Sequence, residues 1–314
     1  MKLKKLLILI LIVSSGAYSS LQGAFIDPGW GTRGAGKGGA FVATADDAST
    51  VVWNPAALSQ IYMREGIFSY HRPYAGLDGI KMGMGYGAVV WPVYGIANFG
   101  VSVSMYSVNS IYIENIYQIT AARELSEVIP QIDPMKLALG MNIKYLSHKY
   151  TWDDELLALN DPITEKDSAG AFTMDLGVLF QPVYEVPVGI NIKNIIPADV
   201  GLVNKDIVPL EAEIGAAYRL GTLGKFEEVT PELKLGYRDQ EYGNKTAYAA
   251  GVETWLNVHT VGLRCGFNSN EITFGASFEK FAGNIGFRID YALAVSLTIG
   301  DNMGSHRIST AVKF

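Results

Sequence analysis

Strict alternation of apolar and polar side chains is the sequence feature that most constrains what this chain can fold into. In the stretch 284–297 every odd-numbered residue is apolar, while the even positions hold small, polar or charged residues. No helical period produces this pattern, so it predicts a strand with two chemically different faces. The final stretch, 306–314, repeats the alternation and ends on an aromatic residue. Strands that show apolar side chains to lipid and polar ones to a lumen are typical of transmembrane β-barrels.

The same period of two recurs from about residue 64 onward and predicts an all-β fold, a transmembrane antiparallel barrel of about 14 strands. After residue 13 no apolar run is long enough for a membrane-crossing helix, and a closed barrel is the other structure that can span lipid. The predicted strands are 64–74, 77–90, 94–108, 111–122, 135–150, 170–181, 186–193, 211–220, 230–238, 246–258, 259–267, 271–281, 285–297 and 306–314.

Connection lengths support this strand count. With an even number of strands both ends of the barrel lie on the same side, and the long polar connections 152–168, 195–210 and 240–245 then all face outward. Bacterial barrels have short periplasmic turns and longer external loops. The connection 123–134 is the exception, because it is long, faces inward and has a partly helical pattern at 122–128.

The chain begins with the pattern of a secretory signal peptide. Lys2, Lys4 and Lys5 precede an apolar run at 6–13, and small residues follow it. This predicts a signal peptide at 1–19, cleaved between residues 19 and 24. A membrane anchor is excluded because the run is too short to cross about 30 Å of hydrocarbon. No cysteine follows the run, which excludes a bacterial lipoprotein, so the chain is predicted to be exported to the cell outer membrane.

Residues 20–63 separate the signal peptide from the barrel, which is predicted to span 64–314. A barrel of about 14 strands has a lumen too wide for its wall side chains to fill. The segment 20–63 is therefore predicted to plug the lumen.

The plug segment carries its own signals for helix boundaries. The stretch 46–49 offers carboxylates and a hydroxyl that can cap a short helix at 50–52 or 56–58. The residue before a proline is disfavoured in a helix, whereas proline itself is favoured in the first helical turn. Asn54-Pro55 therefore predicts a turn followed by a new helix.

A glycine-rich stretch in this segment has the form of a nucleotide-binding motif. Residues 34–39 satisfy Gly-x-Gly-x-x-Gly, and 31–37 nearly form a P-loop. A dinucleotide site requires a preceding strand and a following helix, and a P-loop requires serine or threonine where this chain has Gly38. Both nucleotide-binding interpretations therefore fail.

The wider stretch 34–58 combines a glycine-rich turn, Gly-Gly-Ala-Phe, an acidic Ala-Asp-Asp-Ala-Ser and then Asn-Pro-Ala. This order of motifs resembles the N-terminal region of the FadL and PorV/PorQ families of outer-membrane barrels. The stretches 288–292 and 304–309 are also similar to the last two strands of PorV/PorQ-type proteins. The resemblance implies that Asn54, Pro55 and Ala56 correspond to the Asn-Pro-Ala of a FadL-type hatch. The alternative is that Asn54-Pro55 only caps a helix.

If the apolar face points outward, twelve charged residues line the lumen, with opposite signs on neighbouring strands. One interpretation is a wall of ion pairs that anchors the plug. The other is a basic patch that holds a carboxylate headgroup, with Arg264 and Arg288 as candidates because arginine binds carboxylates bidentately. The inward set is Lys144, Asp175, Glu232, Lys234, Arg238, Glu253, Arg264, Glu271, Glu279, Arg288, Asp290 and Arg307.

No arrangement of residues predicts catalysis, a metal site or a cofactor. The four histidines lie on different strands without the spacing of zinc ligands, and the single Cys265 sits among apolar residues of one strand face. A mild net charge of -6 argues against nucleic acid as a partner. The sequence therefore predicts a protein that is not an enzyme.

By resemblance, the favoured function is passage of a hydrophobic small molecule, such as a long-chain fatty acid, across the outer membrane. The alternative is a PorV/PorQ-like scaffold or shuttle that binds secretion-system proteins, as in type IX secretion. The predicted partners are outer-membrane lipid, either a hydrophobic small molecule or secretion-system proteins, and the outer-membrane assembly machinery. That machinery would recognise Phe314 as its signal. A transporter predicts an apolar pocket beside the plug, and a scaffold predicts binding by external loops such as 152–168.

Overall fold

A computed structural model describes residues 25, 29–77, 79–109, 111–126, 129, 135–158, 161–239, 245–300 and 302–314, with the side chain of residue 156 left out. Over these residues the chain forms one closed barrel in which consecutive strands pair antiparallel. None of the helices in this part of the chain is long and apolar enough to cross a membrane. The strands are β1 (Glu65–Arg72), β2 (Met82–Val93), β3 (Ala97–Val108), β4 (Tyr112–Glu124), β5 (Lys136–Tyr150), β6 (Ser168–Gln181), β7 (Val188–Lys193), β8 (Glu211–Ala217), β9 (Glu227–Arg238), β10 (Lys245–Leu256), β11 (Val261–Asn268), β12 (Glu271–Ala282), β13 (Ile285–Ser296) and β14 (Ser305–Lys313).

The first and last strands close the barrel. Glu65 of β1 lies opposite Lys313 of β14, and Arg72 lies opposite His306. This ladder leaves no free sheet edge, which matters in lipid because unpaired backbone groups are costly there. The predicted fold class, an antiparallel barrel of 14 strands, is confirmed.

The largest differences from the predicted strands lie in two places, and the other predicted strand ends agree with the structure within three residues. Strand β2 begins at Met82 rather than at residue 77, because Gly76 and Gly79 adopt φ of +87° and +78° and extend the preceding turn. The partly helical prediction for 122–128 is wrong at 122–124. These residues continue β4 as far as Glu124, which pairs with Ala138, so the ladder to β5 overrides local helix propensity. The predicted signal peptide, its cleavage site and most of the connection 240–245 lie outside the described residues.

The two faces of the barrel wall differ as the alternation predicts. Outward side chains such as Phe274, Phe287 and Ile289 are about half exposed and form an apolar belt. Many inward positions are buried and polar, others carry apolar side chains that pack inside the barrel, and every charged residue predicted to face inward lies on the buried or half-buried face of its strand. Cys265 is exposed on the apolar outward face. A belt of this kind suits contact with lipid.

The two longest connections between strands lie at the same end of the barrel. The end with the connections 94–96, 257–260 and 283–284 is called the turn end here, and it also holds the chain terminus. The other end carries the connections 151–167 and 194–210 and is called the loop end. The second of these loops packs on the barrel mouth, since three of its apolar side chains are almost fully buried: Ala198, Val200 and Val208.

Residues 29–63, called the inner segment here, lie against the inward face of the wall. Helix α1 spans Thr32–Gly36, helix α2 spans Thr50–Trp53, and a 3-10 helix, η1, spans Pro55–Gln60. Their apolar side chains pack in two clusters, around Val51 with Leu58 and around Phe41 with Trp53. Both clusters also contain inward side chains of the strands, so the core of this protein lies inside its barrel.

Candidate functional site

The candidate functional site is the contact between the inner segment and the wall, where buried ion pairs are concentrated. Its electrostatic centre is Asp47, which is fully buried and pairs with Arg288 of β13 at 2.8 Å and with Arg33 of α1 at 3.1 Å. Arg33 also pairs with Glu253 of β10 at 2.7 Å, and Glu253 in turn pairs with Arg264 of β11. The chain of charges therefore ties α1 and the turn before α2 to three wall strands.

Burial disfavours the charged form of Asp47, but its neighbours outweigh that cost. The guanidiniums of Arg288 and Arg33 and two hydrogen bonds from Ser49 hold the pKa of Asp47 well below its usual range. Asp47 is therefore a carboxylate at neutral pH. Breaking such a buried pair by removing one partner usually costs about 3–5 kcal/mol, because the other charge is left uncompensated.

A second buried ion pair fixes the glycine-rich turn. Lys37 Nζ lies 3.1 Å from Glu232 of β9 and donates to the hydroxyl of Thr44 at 2.7 Å. The other oxygen of Glu232 accepts from the backbone N–H of Ala43 at 2.8 Å. The lysine that looked like part of a P-loop is thus an anchor, and it holds both ends of the turn 37–44 to one wall carboxylate.

The Asn-Pro-Ala motif begins η1 and contacts the wall. The side chain of Asn54 accepts from the N–H of Ala56 at 3.0 Å, and Pro55 occupies the first helical turn. The amide of Asn54 also donates to the carbonyl of Val42 at 2.9 Å and to that of Val178 in β6 at 3.1 Å. Asn54 therefore caps a helix and joins the inner segment to the wall at the same time, so the capping interpretation holds. A role of the motif in gating stays a prediction.

Helix α2 begins differently from the predicted cap. Ser49 is the residue before the helix but makes no side-chain capping bond to it. Instead the carboxylate of Asp47 accepts from the N–H and hydroxyl of Ser49, and the backbone carbonyl of Asp47 accepts from the N–H of Thr50. The acidic stretch therefore shapes the turn before the helix.

Inward amide side chains of the wall, which sequence reasoning missed, satisfy backbone carbonyls of the inner segment. Asn142 of β5 donates to the carbonyl of Val51 at 3.0 Å, and Asn191 of β7 donates to that of Trp53 at 2.9 Å. Asn98, Gln118 and Asn268 act in the same way on Leu58 and Ile61, on Val51 and on Gly38. The sequence signal for these contacts is the amide residue itself, placed by the alternation at an inward position of its strand.

Glycines mark where the inner segment touches the wall. A Cβ added to Gly140 of β5 would overlap the backbone of Pro55 and Ala56, and one added to Gly189 of β7 would overlap the carbonyl of Val42. Gly251 of β10 meets the backbone of Lys37 in the same way. The backbone of the segment could not approach so closely if these positions carried a side chain.

The predicted headgroup candidates lie at this contact. Arg264 donates to Glu253 and to the hydroxyl of Ser277, and Arg288 contacts Asp47, Asp290 at 3.1 Å and Glu65 at 3.4 Å. Protein carboxylates thus already stand beside both guanidiniums. Headgroup binding by the two arginines stays a prediction, and the geometry matches the ion-pair interpretation.

Phe314 lies at the turn end. Its backbone N–H donates to the carbonyl of Arg64 at 2.9 Å, and its ring is about half exposed. Its role as an assembly signal stays a prediction.

Among the described residues, two of the cavities border the inner segment. The smaller, of about 40 Å³, lies toward the loop end between the segment and strands β3–β8. Its lining combines apolar side chains, Phe25, Trp30, Val52, Ile116 and Leu146, with charged and polar ones that include Lys144, Asp175, Lys193, Asn194 and Glu211. The larger, of about 620 Å³, lies at the turn end below η1 and is called the turn-end cavity here. A volume near 40 Å³ suits a water molecule or two, whereas 620 Å³ is within the range of small-molecule sites.

The histidines occupy four different surroundings. His71 is buried in the lumen, and His148 bonds the carbonyl of Val200 at the loop end at 2.7 Å. His259 stacks on Trp255 at the turn end, and His306 bonds the hydroxyl of Tyr291 on the outward face. Within the described ranges no group of three or more His, Cys, Asp or Glu side chains is arranged to hold a metal ion.

The described residues form a closed barrel of 14 strands with an apolar outer belt and an N-terminal segment against its inner wall, which is a FadL-like barrel fold. The chain is similar in structure to a Pseudomonas aeruginosa FadL homologue, with a TM-score of 0.61 and 11% identity over 90% of this chain and 97% of that one. It is also similar to the Pseudomonas putida toluene transporter TodX, with a TM-score of 0.59 and 10% identity over 93% and 99% of the two chains. No protein-family model and no curated protein matches its sequence. At these identities the likeness establishes the fold.

Proposed function

We propose that this chain is an outer-membrane barrel that passes hydrophobic small molecules, with the inner segment as its gate. The structural relatives include a toluene transporter and a monoaromatic hydrocarbon channel. The apolar outer belt suits insertion in lipid. The observation that carries the proposal is a continuous line of apolar side chains that joins the two cavities.

The line begins at the loop end. Phe25 packs with Leu146, Val200 and Val208, and Ile116 packs against this cluster. Three of these side chains, together with Trp30, also line the smaller cavity: Phe25, Ile116 and Leu146. An apolar molecule that entered from the loop end would therefore meet apolar side chains among the residues that line the lumen.

Val52 of α2 is the junction of the line. It lines the smaller cavity and packs against both apolar clusters of the inner segment. The second cluster contains Ala138 of β5 and Leu179 of β6, and both also line the turn-end cavity. The two cavities are thus separated by Val52 and the apolar side chains below it.

The described conformation is closed, because the smaller cavity is too small for an organic molecule. Passage therefore requires α2 and the start of η1 to move away from β5 and β6. The contacts that must break are the bonds of Asn54 and Asn142 and the packing of Pro55 against Gly140. This gives the Asn54-Pro55-Ala56 motif a place in the moving part of the gate.

The test uses a bulky substitution at the junction. We expect Val52→Trp to lower the uptake of N-phenylnaphthylamine, an apolar fluorophore, by a Gram-negative host at least about ten-fold, because the indole fills the path. Val52→Ala should keep or raise uptake. The matched control is Val101→Trp, since Val101 is 39% exposed on the outward face of β3. Unchanged uptake in Val52→Trp, with normal amounts of folded barrel, contradicts the proposal.

One observation favours the alternative, a PorV/PorQ-like scaffold. The loop 151–167 projects from the loop end with a short helix, α3 (Asp154–Ala158), and a 3-10 turn, Pro162–Glu165. Leu157 and Ile163 of this loop are nearly half exposed, as a docking surface requires. Native mass spectrometry of the purified protein separates the two functions. A co-purified lipid that is lost in Asn54→Ala or Arg288→Ala supports passage, and a stable partner protein lost when the loop is shortened supports the scaffold.

A further inference from the structure

The turn-end cavity combines an apolar wall with an unequal set of charges. Its apolar and aromatic lining includes Leu179, Tyr184, Tyr218 and Leu220, with Tyr62 on the facing side. At about 620 Å³ it is large enough for a drug-sized molecule. Ala138 and Leu179, which belong to the apolar cluster that contacts Val52, also line this cavity, so the cavity continues the apolar line that begins at the loop end.

Carboxylates outnumber cations in this lining. Five acidic residues line the cavity, against three basic ones, which gives a net charge of 3 - 5 = -2. Directly behind the lining, Arg33 pairs with Asp46 and Glu253, Arg264 pairs with Glu253, and Glu232 pairs with Lys37. These buried groups add two positive charges and one negative charge, so the net charge around the cavity is -2 + 2 - 1 = -1. The acidic residues are Asp46, Glu124, Glu185, Glu228 and Glu253, and the basic ones are Lys37, Lys136 and Arg219.

The carboxylates are also the more accessible charges. The side chains of Asp46 and Glu228 are 52% and 66% exposed, whereas Lys37 is almost fully buried. Arg219 at the rim donates to the carbonyl of Tyr184 at 2.6 Å and lies 4.7 Å from the centre of its ring. Lys136 is half exposed beside Glu124, at 3.9 Å. A ligand in the cavity therefore meets a negative potential and aromatic faces.

We propose that the turn-end cavity is a binding site for the molecule that passes the gate, and that it selects neutral or amine-bearing amphiphiles over carboxylates. This inference rests on the proposed function. An ammonium group gains from the carboxylates and from the tyrosine faces, while a ligand carboxylate is repelled. The same preference excludes free fatty acids as the tightest ligands. The buried arginines of the lumen do not offset it, because they already face protein carboxylates.

The experiment compares three ligands that share one body and differ in charge: phenylbutylamine, phenylbutanol and phenylbutyrate. Binding is measured by calorimetry at neutral pH to the full chain in lipid nanodiscs, with empty nanodiscs subtracted. One net negative charge acting across about 6 Å of water-like medium changes the affinity of a unit charge about three-fold. We therefore expect the amine to bind about three-fold more tightly than the alcohol, and phenylbutyrate about three-fold more weakly. High salt should narrow both gaps.

Paired variants locate the effect. Glu185→Gln removes a charge from the exposed cavity rim and should lower amine affinity about three-fold, which abolishes the expected preference for the amine over the alcohol. Its control, Glu165→Gln, removes an exposed carboxylate from the loop end and should change nothing. Tighter binding of phenylbutyrate than of the amine, lost in Arg219→Gln, overturns the inference and leaves the proposed passage standing. If none of the three ligands binds, the inference fails while the proposed passage is judged separately by uptake. Unchanged uptake in Val52→Trp rejects the passage and, with it, the inference.

Discussion

Gly140 offers the sharpest test of the seal between the inner segment and the wall. In Gly140→Ala the new Cβ would overlap the carbonyl of Pro55 and the N–H of Ala56, which are backbone atoms and cannot turn away as a flexible side chain could. Restoring ordinary contact requires the start of η1 to retreat by about 1 Å, since van der Waals contact lies near 3.5 Å. The bond from Asn54 to Val178, now 3.1 Å, would then exceed hydrogen-bonding distance.

The magnitude follows from these two losses. One hydrogen bond contributes about 1 kcal/mol, and overpacking costs about 1–3 kcal/mol. The closed state should therefore lose about 2–4 kcal/mol relative to an open one, which raises the open population about 30-fold to several hundred-fold.

The readout is ion conductance of single barrels in a planar bilayer, where Gly140→Ala should open far more often than the unmodified chain. Gly85→Ala is the matched control, because Gly85 faces outward on β2 with open space around the position of a Cβ. Gly177→Ala, which meets Ala56 N at 2.8 Å, provides a second test. Folding is checked by heat-modifiable migration in gels. If folded Gly140→Ala conducts no more than Gly85→Ala, the seal does not depend on this contact.

Three further predictions concern charge and orientation. Asp47→Asn should lower the stability of the inner segment by about 3–5 kcal/mol. Asp46 is a half-exposed partner of the same arginine, so Asp46→Asn should cost about 1 kcal/mol or less. Limited proteolysis in urea measures both losses, and equal losses would contradict the burial argument. Because the pKa of Asp47 is held below its ordinary value near 4, its stabilisation is complete at neutral pH and is lost as the pH falls below about 4. Single-barrel conductance should therefore rise in acid. Conductance that stays constant from neutral pH down to pH 3 would contradict this role of Asp47. Because Cys265 is exposed on the apolar outward face, it should react in vesicles with a membrane-soluble maleimide and not with a charged thiosulfonate. Equal labelling by both reagents would place Cys265 outside the lipid.

Much of the wall could be predicted from the chain, because a strand between lipid and lumen must alternate at every step. The stretch at β13 shows this: Ile285 to Ser296 alternates in sequence and in burial without a break. Fourteen strands, the long loops at one end and the inward charges follow from the same rule. Local pattern is a poorer guide at residues 122–124. Their sequence looks partly helical, but they stay extended because they pair with β5.

The site was much less predictable. Charges of opposite sign were expected on the inward faces of neighbouring strands, and Arg264 and Glu253 form such a pair. That Asp47 also pairs with Arg288 could not be expected, since the two residues are 241 positions apart and meet only through the path of the inner segment. Likewise, no local pattern distinguishes Gly140, which receives the backbone of Pro55, from Gly85, which faces open space.

By itself, then, the sequence determined the barrel, its two faces and the existence of a separate N-terminal segment, because alternation and turn chemistry act between near neighbours. Only the tertiary structure decided where that segment lies against the wall, which charges it neutralises and which cavities remain beside Val52. Those outcomes depend on contacts between residues about 100 to 240 positions apart, which period and composition do not encode.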